Sequence, residues 1–130
     1  MDKLNSAENA LAKLEAILSD KVRDEKTRDA SIQRFEFTSE ICWKALQEVL
    51  KNEFLLEIRY PKGCYEAAFK IGLIDEDLCL NLNQTIKDRN LTSHTYHEGL
   101  SIQIYENLPK HAMAFRKLIE QIKIRVSNCD

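Results

Sequence analysis

The scarcity of turn-forming residues is the feature of this sequence that most restricts its fold. The 130 residues include only three glycines and two prolines, whereas an all-β fold needs such residues at its many turns. Apolar residues instead recur at spacings of three, four and seven over long stretches, which is typical of amphipathic helices. The sequence therefore predicts an all-α fold, and its length fits one compact domain that spans residues 1–130.

Two long helices are predicted in the first half of the chain. Asn5 or Ser6 suits the cap of the first helix, which carries an apolar stripe. The charged stretch 20–29 is typical of a connector, and a second helix follows over roughly 28 to 52. This helix presents the seam of a bundle helix, formed by Ile32, Phe35, Ser39, Cys42, Leu46 and Val49. Phe37, Ile41 and Trp43 lie off the seam, so they either widen the core face or cover a partner.

The second half of the chain predicts a short helix followed by two longer ones. Pro61 suits the first turn of a short helix that ends at Gly72, and Asp75 suits the cap of the next helix. Thr95 and Glu98 have the spacing of a capping box for the last helix. The apolar stripe of this helix continues past its proline at position 109, which predicts a kinked helix or two nearly coaxial ones. Together the patterns predict an up-and-down antiparallel helical bundle of four main helices plus a short extra helix.

Charge, hydropathy and cysteine spacing exclude several classes of protein. A net charge of −2 argues against a surface that coats DNA, although a local basic site is compatible with it. The polar start of the chain argues against a secretory signal, and no apolar run approaches the roughly 20 residues that span a bilayer. We therefore expect a cytoplasmic protein without membrane contact. Cys42, Cys64, Cys79 and Cys129 lack the spacing of a metal site, so we expect free thiols and no metal.

The stretch RNLTSHTYHE, residues 89–98, gathers Arg89, His94 and Tyr96 at one predicted turn. Arg89 closes one helix and His94 precedes the next, so the two side chains can converge across the junction. An arginine near the positive end of a helix makes a phosphate site, and a neutral histidine accepts a proton near pH 7. This combination fits metal-free cleavage of RNA, in which a base activates the 2′-hydroxyl and a cation stabilises the phosphate. One histidine cannot serve as both base and acid, so the chemistry requires a two-fold homodimer.

Simpler interpretations stay open for each of these residues. Arg89 has the charge that complements the C-terminal end of a helix. His94 fits an exposed turn, and Tyr96 fits a core aromatic residue whose hydroxyl lies at the edge. We assign no role to His97, for which the sequence pattern supplies no matching cation, or to His111, which stands alone on its helix.

Three stretches, in order, resemble the HEPN family, in the subgroup encoded beside minimal nucleotidyltransferases (MNT). They are IQRFEFTSEICWKALQEVL at 32–50, YPKGCYEAAFKIGLID at 60–75, and RNLTSHTYHE, which carries the pattern R-x4-H-x-Y. The resemblance runs from about residue 6 to residue 125. It departs from the family at Cys64, where a larger apolar residue is usual.

The resemblance implies a two-fold homodimer that acts as a metal-independent ribonuclease toxin of a toxin–antitoxin system, cutting transfer RNA or messenger RNA without a cofactor. Arg89 is then the phosphate cation, His94 the proton-transfer residue, and Asn90 a polar residue that helps to orient the site. Tyr96 resembles the tyrosine to which the cognate nucleotidyltransferase, the antitoxin, attaches AMP. The toxin is thereby neutralised.

Two other functions stay open beside the ribonuclease. The chain fits a non-catalytic adaptor that presents a substrate to a nucleotidyltransferase, and it fits a plain helical interaction module. It has no G-S-x5-D-x-D pattern of its own, so it is not the transferase. A neighbouring gene with that pattern would favour the ribonuclease and the adaptor over the interaction module. RNA degradation by the purified chain would then separate the ribonuclease from the adaptor.

Overall fold

The computed structural model describes residues 2–94 and 97–128, and every regular element in these ranges is a helix. The order along the chain is α1 (Asp2–Leu18), α2 (Glu25–Phe54), α3 (Pro61–Lys70), α4 (Glu76–Leu91), a 3₁₀ turn (Thr92–His94) and α5 (Glu98–Asn128). Helices α1, α2, α4 and α5 form the bundle, and the short α3 packs on α2 and α4. The predicted all-α bundle of four main helices plus a short extra helix is confirmed. No helix in the described ranges is long and apolar enough to cross a membrane.

Aspartate caps fix the starts of α2 and α4. The Asp24 carboxylate accepts a hydrogen bond from the Thr27 N–H at 2.8 Å, and the Asp75 carboxylate accepts one from the Leu78 N–H at 2.8 Å. Each cap satisfies an N–H group that the first turn of a helix leaves unpaired. The Asp75 cap is confirmed, and Asp24 starts α2 before the predicted boundary. The predicted cap at Asn5 or Ser6 is wrong, because α1 already begins at Asp2.

The core lies between the four main helices, and the predicted seam of α2 faces it. All six seam residues are buried: Ile32, Phe35, Ser39, Cys42, Leu46 and Val49. Among the three residues off the seam, Ile41 and Trp43 pack against the core, whereas Phe37 is 50% exposed. Two of the three therefore widen the core face, and Phe37 is the one that a partner can reach. Cys42, Cys64 and Cys79 are buried free thiols, and Cys129 lies outside the described residues.

Helix α5 continues through Pro109 as one helix. Proline cannot donate to the carbonyl four residues earlier, so the hydrogen-bond ladder is interrupted there without ending the helix. The structure thus favours one helix over two coaxial ones. Further along α5, Arg116 pairs with Glu15 of α1 at 2.6 Å, and Lys123 pairs with Glu8. The basic C-terminal stretch is in part a contact to α1.

Candidate active site

Arg89 lies in the last turn of α4, where Thr92 holds both its backbone and its side chain. The Thr92 hydroxyl donates to the Arg89 carbonyl at 2.7 Å and accepts from Arg89 Nη1 at 3.1 Å. The Thr92 N–H also donates to that carbonyl. Thr92 is itself buried, so it gives the guanidinium a fixed point of attachment. The side chain folds back on the C-terminal end of α4, where the helix dipole favours a cation.

Glu36 of α2 is an acidic neighbour of Arg89 that sequence reasoning missed. Its Oε2 atom lies 3.5 Å from Arg89 Nη1, and the Glu36 and Arg89 side chains are 34% and 39% exposed. Arg89 Nε is buried and finds no hydrogen-bond partner among residues 2–94 and 97–128. Glu36 belongs to the stretch IQRFEF that carries the HEPN resemblance, which was a usable signal. Helical period alone does not tell which polar residue faces another helix.

A second carboxylate of α2, Glu40, extends the acidic side of the site by one helical turn. Burial raises the pKa of Glu40, but hydrogen bonds from Trp43 and Lys44 work in the opposite direction. The positive charges of Lys44 and Arg89 add to them, so the pKa of Glu40 lies below its ordinary value. Arg89 therefore faces one carboxylate in contact and another through space.

A cleft of about 500 Å³ opens beside Glu36, between the first turns of α2 and α5. Four carboxylates line it, and the one lining arginine, Arg28, lies 3.7 Å from a carboxylate oxygen of Glu98. The carboxylates are those of Glu25, Asp29, Glu36 and Glu98. Their charge disfavours a phosphate in this cleft. A polyanion that reaches Arg89 is therefore expected to come from the side of the 3₁₀ turn.

Asn90, in the last turn of α4, and His94, in the 3₁₀ turn that follows, are both exposed. His94 ends the 3₁₀ turn, and its carbonyl accepts from the His97 N–H at 3.1 Å. The Asn90 carbonyl accepts from Ser93 Oγ at 3.3 Å. The structure thus places Arg89, Asn90 and His94 within one short segment at this end of α4. Tyr96, the predicted site of AMP attachment, lies outside the described residues, as does the predicted cap Thr95.

Asp88, the residue before Arg89 in the chain, forms a buried pair with His111 of α5. His111 Nε2 lies 2.6 Å from Asp88 Oδ2, and Asn107 Nδ2 donates to the same oxygen at 3.2 Å. Phe35 stacks on the imidazole with the ring centres 5.2 Å apart. The sequence pattern assigns no role to His111 because it stands alone on its own helix, and this interpretation misses the partner that α4 supplies. Spacing along α5 could not reveal a contact between two helices.

The environment of His111 favours its neutral form. Burial lowers the pKa of His111 and the charge of Lys110 adds to this, while the hydrogen bond and charge of Asp88 oppose them without reversing the shift. A neutral imidazole here carries its proton on Nε2 and donates it to the carboxylate. Because the folded-state pKa lies below that of the unfolded chain, the stability linked to this group is present above about pH 6.5 and falls as the pH drops below it.

Comparison with solved structures identifies the class of this fold. A tri-AMPylated HEPN toxin of Shewanella oneidensis in complex with an MNT antitoxin superposes with a TM-score of 0.78, at 20% identity over 95% of each chain. A mutant of the toxin–antitoxin pair MntA–HpeT gives 0.78, at 19% identity over 95% of each chain. A protein from Thermus thermophilus gives 0.85, at 37% identity over 89% of this chain and 98% of its own. The bundle therefore has the fold of HEPN toxins.

A family model identifies the chain more narrowly. The chain belongs to the family described as nucleotidyltransferase substrate binding protein like, whose model matches residues 2–124. The resemblance drawn from the three sequence stretches is thereby confirmed. A comparison with curated proteins found no match.

Proposed function

We propose that this chain is the ribonuclease toxin of a toxin–antitoxin pair, neutralised when a cognate MNT-type nucleotidyltransferase attaches AMP to Tyr96. The observation that carries the proposal is the fixed guanidinium of Arg89 at the segment that exposes Asn90 and His94. Two solved structures with this fold, described as toxin–antitoxin complexes, support it, and one of them contains an AMPylated HEPN toxin.

In the proposed reaction, the 2′-hydroxyl of a nucleotide attacks the adjacent phosphorus. His94 takes the proton from this hydroxyl, Arg89 stabilises the charge that grows on the non-bridging oxygens, and Asn90 helps to orient the group. The bond from phosphorus to the 5′ oxygen breaks, and this oxygen receives a proton from the same histidine of a second copy of the chain. The products are a 2′,3′-cyclic phosphate and a 5′-hydroxyl.

A two-fold homodimer is part of this proposal, because one turn supplies one histidine and the reaction needs two. In a symmetric dimer the same patch of each subunit meets its own copy, which brings the two turns together. We expect sedimentation to show a dimer at micromolar concentration. A monomer that still cleaves RNA would overturn the composite site.

RNA cleavage by the purified chain in the presence of EDTA tests the chemistry. We expect cleavage by the wild type and a loss of about 10²-fold in rate for His94→Ala, the usual contribution of a positioned acid–base group. His97→Ala is the matched control, because His97 is also exposed and lies three residues away. Equal activity of His94→Ala and wild type would remove His94 from the mechanism.

The second candidate function is a non-catalytic adaptor that presents a substrate to a nucleotidyltransferase. The contact between Glu36 and Arg89 favours it, because an arginine already paired with a carboxylate binds a phosphate less strongly. Absence of RNA cleavage by the wild type, together with stable binding of the nucleotidyltransferase, would decide for the adaptor.

A further inference from the structure

Two buried side chains and one half-buried one join the end of α4 to α5, and we name them the Asp88 clamp: Asp88 and His111, which are buried, and Asn107, which is half-buried. Both α5 residues direct a nitrogen to the same oxygen, Asp88 Oδ2. Asn107 and His111 are four residues apart, so they lie on one face of α5. Pro109 stands between them, at the interruption of the α5 hydrogen-bond ladder.

Stability alone does not account for the clamp. Asp88 is 5% exposed and His111 is 1% exposed. A carboxylate at such a depth carries a large desolvation cost, and a well-packed apolar pair in its place is often as stable or more so. Hydrogen bonds to one oxygen atom add something that apolar contacts lack, which is a fixed direction.

The direction matters because Asp88 is buried, whereas the next residue, Arg89, is partly exposed to solvent. Successive residues of an α-helix point about 100° apart around its axis, so fixing the Asp88 side chain fixes the direction in which Arg89 leaves the helix. The buried Thr92 hydroxyl then holds the guanidinium, at 3.1 Å from Nη1. The direction of Arg89 is thus constrained at its backbone by the Asp88 clamp and at its guanidinium by Thr92.

We propose that Asp88 is a positioning residue, and that the clamp sets the rotation of the last turn of α4 at which Arg89 meets an RNA phosphate. His111 and Asn107 act through Asp88, and none of the three touches the substrate. The inference rests on the proposed ribonuclease function and adds to it the element that orients the cation.

Kinetics of two His111 variants test the inference. His111→Leu removes the donor to Asp88 and keeps an apolar filling, whereas the amide of His111→Gln can donate as Nε2 does. We expect His111→Leu to lower kcat at least about tenfold with little change in KM, because Arg89 acts on charge that develops in the transition state. We expect His111→Gln to recover most of that loss.

Gln47→Leu is the matched control for loss of a polar contact between elements. Gln47 Nε2 donates to the Ile58 carbonyl at 2.7 Å, and Gln47 lies eleven residues after Glu36 on α2, about 16 Å along the helix. We expect this variant to keep the wild-type kcat at temperatures where it is folded. An equal loss of kcat in Gln47→Leu and His111→Leu would show that the clamp acts only through general stability, and would overturn its positioning role.

A second readout does not depend on ribonuclease activity. The Nε–H of Arg89 is buried, so it should give a slowly exchanging ¹⁵N NMR signal, assigned by its absence in Arg89→Lys. We expect this signal to shift or broaden in His111→Leu and in Asp88→Asn, and to persist in His111→Gln and Gln47→Leu. If His111→Leu does not fold, the Arg89 signal in Asp88→Asn tests the positioning role instead.

The two readouts separate the two proposals. An inactive wild type with the expected NMR pattern would overturn the ribonuclease and keep the positioning role. An unchanged Arg89 signal in the clamp variants would overturn the positioning role, whatever the activity of the wild type.

Discussion

At the scale of single residues, the charges around Arg89 would decide how strongly the proposed site binds a phosphate. Glu36 contacts the guanidinium, and Arg89 in turn helps to lower the pKa of Glu40. A phosphate that binds Arg89 competes with the Glu36 carboxylate for the same donor. Under the proposed function, the affinity of the site for RNA would therefore be lower than that of an unpaired arginine.

Glu36→Gln is expected to strengthen the binding of a short RNA oligonucleotide. Exposed ion pairs of this kind contribute at most about 1 kcal/mol, so the gain should be about fivefold or less at low salt and should shrink as salt is added. Fluorescence anisotropy with a labelled oligonucleotide measures it. Glu48→Gln is the control, because Glu48 is also on α2 but pairs with Lys3. Weaker binding by Glu36→Gln would mean that the main effect of Glu36 is to orient Arg89, and not to compete with the RNA phosphate for it.

Some residues of the site are revealed by a local sequence pattern, and others by contacts between helices. Arg89, Asn90 and His94 follow from a local pattern, because their spacing is set within one turn of the chain. Glu36 and the Asp88–His111 pair are contacts between helices. A single sequence fixes the period of each helix but not its rotation against its neighbour, so helical period could not predict these partners, and only Glu36 had another signal, its place in the HEPN-like stretch IQRFEF.

At the scale of elements, α4 connects a well-defined start to the candidate active site at its end. We expect Asp75→Ala to destabilise the protein by about 1 kcal/mol, the usual value of an N-cap, and to lower the melting temperature by a few degrees. Asp77→Ala is the matched control, since it removes the same charge from the first turn of α4. Thermal melts followed by circular dichroism measure both. Equal losses would show that charge, rather than the Asp75 hydrogen bond, carries the effect.

The elements themselves were predictable where apolar periodicity is long, as in α2 and α5. Helix ends were less so. The cap of α1 was misplaced because Leu4 and Ala7 are buried in the bundle, and this packing extends the helix beyond the local capping signal at Asn5 and Ser6. Packing also keeps α5 continuous at Pro109, where local propensity alone would end it.

At the scale of the whole molecule, the proposed switch depends on a second protein. AMP on Tyr96 would add a negative charge and a bulky nucleotide close to His94, and both would oppose an RNA backbone. We expect Tyr96→Phe to keep ribonuclease activity and to escape neutralisation by the cognate nucleotidyltransferase. Intact-mass measurement of the co-expressed pair should show adenylate adducts on the wild type and none on Tyr96→Phe. A fully silenced wild type without adducts would show inhibition by binding alone.

Under the proposed ribonuclease function, the acidic cleft beside Glu36 would give the molecule a preference among RNA shapes. A rigid duplex that crosses Arg89 would have to extend its phosphates over the cleft, whereas an unpaired strand can bend away from it. Loops and single-stranded ends are also where nucleotides are free to rotate into the in-line geometry that attack by a 2′-hydroxyl requires. The four carboxylates of the cleft would repel the phosphates of double-helical RNA. Cleavage would thereby be restricted to unpaired RNA.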